Sequence, residues 1–178
     1  MSVDDQELWK RATARLTTLR ADLAGDVELA LTTVLTRYRQ TKEVLAAVIA
    51  DVDATDVCRE CRGACCLNGK YRINVCDVLA CIAAEALITP DFSQKPVCPY
   101  GTASGCRMEP GMRPADCILF ICVAIDQKLS PSARLILDEQ ERVLRECLHE
   151  ASRLTGEPLG TPLLLWAGRN TVNPNLKM

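Results

Sequence analysis

Apolar residues recur at helical spacing along much of the chain. Leu8, Ala12, Leu16, Leu19 and Leu23 follow one another at intervals of three and four, which predicts a helix from residue 5 to about 24. Gly25 and Asp26 interrupt it, and Asp26 is a candidate N-cap for the next segment. Val27, Leu31, Val34, Tyr38, Thr41, Leu45, Val48 and Val52 then form a heptad-like seam broken only by Thr41. A helix over 26–52 would be about 40 Å long. Two arrangements fit this pattern. Residues 1–54 could form an antiparallel helical hairpin packed on the rest of the chain, or the seam could join two copies in a homodimer or dock another protein partner.

The pattern then changes. Tyr71–Asn74 reads as a short strand, and Asp77 opens a helix to about residue 88 with Val78, Ile82 and Ala86 on one side. Thr89-Pro90 ends it, because the residue before a proline is pushed out of the helical region. Residues 91–113 hold six prolines and glycines, and the stretch from Gly101 to Gly105 reads as the turn of a small hairpin. Pro114 is a candidate first residue of a short helix. Ser130-Pro131 is a strong helix start. That helix is predicted to reach Leu154, with Ile136, Val143, Cys147 and Leu154 on its buried stripe and Leu137, Leu144, Leu148 and Ala151 beside them. Thr155-Gly156 stops it. In the tail, 156–178, only Leu163–Trp166 is apolar enough to pack back on the body, and the residues after 168 read as loosely held. The predicted fold is mainly α, a single domain over 1–178 in which long helices flank an irregular segment with minor short strands.

Composition narrows the setting. The chain has 178 residues, 48% hydrophobic and 25% charged, with a formal net charge of −2. That suits one globular core and gives no electrostatic pointer to nucleic acid or anionic lipid. No stretch reaches the ~20 apolar residues of a membrane span. The acidic start lacks an apolar signal core, so the reading is a cytoplasmic protein. Thiols in that compartment stay reduced, and clustered cysteines there bind metal or do redox work.

The cysteines change the picture most. Ten of the eleven lie between Cys58 and Cys122. Cys58-x2-Cys61 is a chelating pair found at zinc and iron sites, and Cys65-Cys66 and further cysteines follow it. The single histidine, His149, excludes sites that need two, so any metal is held by thiolate. Soft sulfur ligands select zinc, iron–sulfur clusters or copper(I). In an extended chain the side chains of adjacent Cys65 and Cys66 would point to opposite faces, which suits neighbouring metals better than one ion. Cys117 and Cys122 are five apart, so either a helix ends between them or they serve different sites. Arg59, Arg62, Lys70 and Arg72 surround Glu60 in this stretch and would favour thiolate over thiol. Cys147 and Cys81 sit on apolar stripes and read as small hydrophobes; Cys76 lies just before a helix and is less distinct.

The order Cys-x2-Cys-x3-Cys-Cys, then Cys-Pro, Gly-Cys and Arg-Pro-x2-Cys-x4-Cys, resembles the YkgJ-like cysteine-cluster family, described as a zinc- or iron-chelating domain. The resemblance spans about residues 58–122. It implies eight metal ligands: Cys58, Cys61, Cys65, Cys66, Cys98, Cys106, Cys117 and Cys122. Arg113 and Pro114 match the family's Arg-Pro. The aromatic-acidic dipeptide that usually precedes it is replaced here by Met108–Met112. The family also includes proteins similar to the flagellin lysine-N-methylase, although no glycine-rich nucleotide loop follows a strand in this chain.

Eight thiols could make two closed zinc sites; alternatively Cys58, Cys61, Cys65 and one later cysteine could hold a four-iron, four-sulfur (4Fe-4S) cluster. The spacing is neither the bacterial ferredoxin run nor the radical-SAM order, which it reverses. The reading is a metal-binding protein acting as a structural or interaction module. The alternatives are a redox or metal-handling protein with labile thiols, and an enzyme of the methylase branch.

Overall fold

A computed structural model describes residues 4–60, 64–93, 98–102 and 105–169, with the side chains of Thr55, Arg59, Cys65 and Asn68 left aside. Helix makes up 70% of the described residues, so the fold is mainly α as the periodicity predicts. The described elements are α1 (Asp5–Ala21), α2 (Gly25–Ala50), α3 (Ala54–Glu60), a 3-10 helix at Ala64–Tyr71, α4 (Val75–Ala83), β1 (Gly101–Thr102), β2 (Gly105–Cys106), a 3-10 helix at Pro110–Met112, α5 (Ala115–Leu119), α6 (Val123–Asp126), α7 (Pro131–Thr155) and α8 (Leu163–Arg169).

The N-terminal helices find their main partners elsewhere than in each other. α2 packs along α7, and α1 packs on α8. Arg20 of α1 is paired with Glu28 of α2 at 2.6 Å across the turn. Asp26 lies inside the first turn of α2 and does not cap it; Ala24 holds the N-cap position. The seam of α2 is filled from within the chain. Leu31, Leu35, Tyr38, Thr41, Lys42 and Leu45 are its buried residues. Arg37 and Glu146 form an ion pair at 3.8 Å, joining α2 to α7.

α7 starts and ends as its sequence predicts. The Ser130 hydroxyl accepts a hydrogen bond from the Ala133 N–H at 3.1 Å, and Gly156 closes the helix at φ 69°, a left-handed conformation that glycine adopts without a Cβ clash. Its buried residues are Leu137, Leu144, Cys147 and Ala151, one position round from the expected stripe, and Ile136 is exposed. α8 packs on α1, where the Arg15 guanidinium lies 4.3 Å from the Trp166 ring centroid. Glu157 accepts from both Arg15, at 2.7 Å, and the Trp166 indole N–H, at 3.0 Å.

The segment 71–74 is not a strand. A 3-10 helix occupies 64–71, and Asn74 makes one isolated bridge to Pro162. The reason is a capping box that starts α4 two residues early. The Asn74 side chain accepts from the Asp77 N–H at 2.8 Å, while Asp77 accepts from the Asn74 N–H at 3.1 Å. α4 also stops early, at Ala83, and Glu85 adopts φ 53°. β1 and β2 pair antiparallel, Gly101 opposite Cys106. Pro114 stands as the N-cap of α5 rather than its first residue. Helices α3 and α6 lie where the apolar pattern gave no signal. Among the described residues, no helix is long and apolar enough to cross a membrane.

Candidate metal centre

Several of the cysteine-bearing elements lie against one another. α3, which carries Cys58, packs against β2, which ends at Cys106, and against α6, which begins just after Cys122. The 3-10 helix of Cys65 and Cys66 abuts Cys98. A Cβ added at Gly69 would sit 2.4 Å from the Cys98 Sγ and 2.6 Å from its Cβ. The glycine therefore permits a backbone approach that any other residue would block. Adjacent Cys65 and Cys66 lie in helical rather than extended backbone, which removes the premise that set them on opposite faces. α5 ends at Leu119, between Cys117 and Cys122.

Cys98, Cys106 and Cys117 come from a loop, a strand and a helix, and each of the first two is near enough to raise the pKa of Cys117. Burial is the larger cause and lifts that thiol to about 12, with Arg72 opposing it. The Cys98 thiol is also raised, first by burial and then by Cys106. The backbone N–H groups of Tyr100 and Gly101 act against that rise, since they donate to the Cys98 sulfur. The Met108 N–H donates to the Cys106 sulfur at 3.4 Å. Hydrogen bonds from backbone N–H groups favour the charged form of an acceptor, so those to Cys98 offset part of the rise that burial causes.

Of the four expected cations, Arg72 takes the place beside the thiols. It donates to the Asp116 carbonyl at 3.4 Å, its guanidinium lies 4.7 Å from the Phe120 ring centroid, and it lowers the pKa of both Cys98 and Cys117. Lys70 instead ties the 3-10 helix to α1 through Asp5 at 2.7 Å. Arg62 and the Arg59 side chain lie outside the described residues.

The expected ligands are placed as follows. Cys58, Cys66 and Cys106 are exposed, and Cys98, Cys117 and Cys122 are half-buried. Cys61 and the side chain of Cys65 lie outside the described residues. Among the described residues, no three Cys, His, Asp or Glu side chains are grouped closely enough to hold one ion. Cys98, Cys106 and Cys117 are thus neighbours rather than a closed ligand set. Cys76, Cys81 and Cys147 are buried in the core, as hydrophobes, and His149 is exposed on α7.

Arg113 does not face the thiols. Its Nε donates to the Met108 carbonyl at 3.0 Å and closes the 108–113 loop. The 3-10 turn Pro110–Met112 seats on α2, where Gly111 lies against Glu43 and Arg39.

Sequence reading missed Lys42 and Asp77, whose buried ion pair stands behind this loop. Both left a trace. Lys42 continues the spacing Leu31, Leu35, Tyr38, Lys42, Leu45, and a lysine on a buried stripe signals a paired charge. Asn74-x2-Asp77 is a capping-box pattern.

Comparison with protein-family profiles, with curated proteins and with solved structures gave no match to this chain. The resemblance to the cysteine-cluster family therefore rests on cysteine order and spacing.

Proposed function

We propose that this chain is a metal-binding protein. Cys58, Cys61, Cys65, Cys66, Cys98, Cys106, Cys117 and Cys122 supply thiolates to zinc or to an iron–sulfur cluster, and the centre orders a surface that the helices frame as a structural or interaction module. The observation that supports this most is the meeting of Cys98, Cys106 and Cys117 beside Arg72, with backbone N–H groups directed at the first two sulfurs. Sulfur donors are what a soft metal selects, and N–H···S bonds are the kind of outer-shell support that orients such ligands.

Anaerobic purification followed by metal analysis and a visible spectrum tests the reading. An iron–sulfur cluster gives a coloured protein, whereas zinc, with its filled d shell, gives none. Cys58→Ser, Cys61→Ser, Cys98→Ser and Cys117→Ser should each lose metal. Cys147→Ser should retain it and lose only packing, plus ~1–3 kcal/mol if the new hydroxyl stays unpaired. Stoichiometric metal surviving both Cys98→Ser and Cys117→Ser would contradict this ligand set.

A metal-handling role is the second reading, and the exposure of Cys58, Cys66 and Cys106 favours it, because transfer needs thiols that a partner can reach. Loss of metal to a chelator within seconds, rather than hours, would select it.

A further inference from the structure

The buried pair behind the cysteine loop carries an inference that rests on the metal-centre reading. Lys42 and Asp77 have no exposed side-chain surface, and Lys42 Nζ lies 3.0 Å from Asp77 Oδ1. Taking two charges out of water is costly unless the geometry is good and further hydrogen bonds complete it. Here they do. Asp77 accepts from the Tyr38 hydroxyl at 3.1 Å, from the Asn74 N–H at 3.1 Å and from the Ala115 N–H at 3.2 Å. Lys42 also donates to the Arg113 carbonyl at 2.9 Å and lies 4.7 Å from the Tyr38 ring centroid.

Two of these bonds leave the α2–α4 core. They hold the backbone on either side of Pro114, at the carbonyl of Arg113 and the N–H of Ala115. Cys117 follows directly, its N–H bonded to the Pro114 carbonyl at 2.9 Å. α5 has five residues, too few for a helix to hold itself, so its place is imposed from outside. An apolar trio of similar volume could fill the same space, but it would leave the Asn74 N–H without its partner. It could not grip two backbone groups of this turn.

We propose that Lys42 and Asp77 are positioning residues of the metal centre: they fix the Arg113–Ala115 turn and so deliver the Cys117 thiolate to the other ligands. The coupling is reciprocal, since a metal that favours the held turn must also favour the pair that holds it.

The test compares metal affinity with stability. The variant Tyr38→Phe/Lys42→Met/Asp77→Leu removes the polar trio and keeps its volume. Ala115→Pro deletes the N–H that Asp77 accepts and sets a ring carbon in its place, which pushes the turn off the carboxylate, at a first helical position where the backbone itself tolerates proline. Leu144→Ala is the control, a core truncation on α7 with no bond to the turn. Affinity for zinc and cobalt(II), or recovery of a reconstituted iron–sulfur chromophore, is measured on each folded protein. The triple variant should melt lower than wild type without metal, because the Asn74 N–H, the Ala115 N–H and the Arg113 carbonyl lose their partners, and it should bind about 10–100-fold more weakly, the range found when supports of metal ligands are removed. Ala115→Pro should weaken binding in the same direction, and Leu144→Ala should melt lower with unchanged affinity. If the triple variant does not fold, Ala115→Pro decides. The wild type adds a third readout: amide exchange at residues 38–45 of α2 should slow when metal is added. Wild-type affinity in a folded triple variant or in Ala115→Pro would overturn the inference alone, as would unchanged exchange at 38–45. A wild type that takes up no zinc, cobalt or iron would overturn the metal-centre reading and this inference with it.

Discussion

Cys81 lies outside the expected ligand set, and its thiol is 1% exposed. It points at Met112, 3.9 Å from the carbonyl and 3.8 Å from the sulfur. Burial lifts its pKa to about 11; Lys42 and Arg39 pull it down, and Asp77 pushes it up. Tyr100 is the other titratable neighbour. The folded state therefore keeps a proton that the unfolded chain gives up near the thiol's ordinary value of 9.0. Stability from this thiol is complete below that pH and is lost as pH climbs towards 11. The loss amounts to roughly 2–3 kcal/mol. Urea unfolding of the metal-free protein from pH 8 to 11 should give a falling midpoint in wild type and a flatter profile in Cys81→Ala. Equal slopes would show that Cys81 ionises as easily in the fold as outside it.

Among the elements, the 3-10 helix at Ala64–Tyr71 and α2 depart most from their sequence patterns, for different reasons. The 3-10 helix ends at Tyr71, where a strand over 71–74 was expected to begin; no strand forms there, because Asn74 and Asp77 cap α4 and residues 73–76 bond instead to the stretch leading into α8. The bonds are Val75 N–H to Thr161, Cys76 N–H to Leu159 and Leu163 N–H to the Ile73 carbonyl. This brings Gly69 onto Cys98. Gly69→Ala should force the two apart, since its Cβ would meet the Cys98 Sγ and Cβ, and the Cys98 Cα at 3.3 Å. Overpacking of this kind costs typically 1–3 kcal/mol, about the expected drop in denaturant stability. Metal affinity should fall with it. A variant as stable as wild type would mean that the helix slides aside without strain.

For the molecule as a whole, the helices and the cysteine segment draw on different sources of order. α2, α4 and α7 bury Leu31, Leu45, Val78, Leu79, Leu144 and Ala151 in one core. Among its described residues, the segment from Cys98 to Cys122 has two two-residue strands, a three-residue 3-10 helix and a five-residue α5, and its fixed points are the turn at Pro114 and the seat of Gly111 on α2. Binding free energy at a metal site acts as folding free energy for such a segment. Hydrogen exchange with and without chelator should show protection lost over 98–106 and in the helices that carry Cys58 and Cys66. α2 and α7 should stay protected, and far-ultraviolet circular dichroism should change little. Uniform protection after complete metal removal would show that the segment needs no metal to fold.

The long helices were legible in the chain because their signals are local. A 3.6-residue apolar period, the Ser130-Pro131 start and the Gly156 stop act within a few residues of backbone. The cysteine inventory was legible too, and with one histidine in the chain it restricted any metal chemistry to sulfur. Which face of α2 is buried depended on α7, α4 and the 3-10 turn Pro110–Met112, partners distant in sequence, and Lys42 joins that face because it meets Asp77 of α4. The pairing of Lys42 with Asp77, and of both with the turn before Cys117, joins three stretches far apart in sequence. Periodicity carries no record of such a meeting. It exists only once α2 and α4 have packed and left a polar gap between them that the Pro114 turn fills.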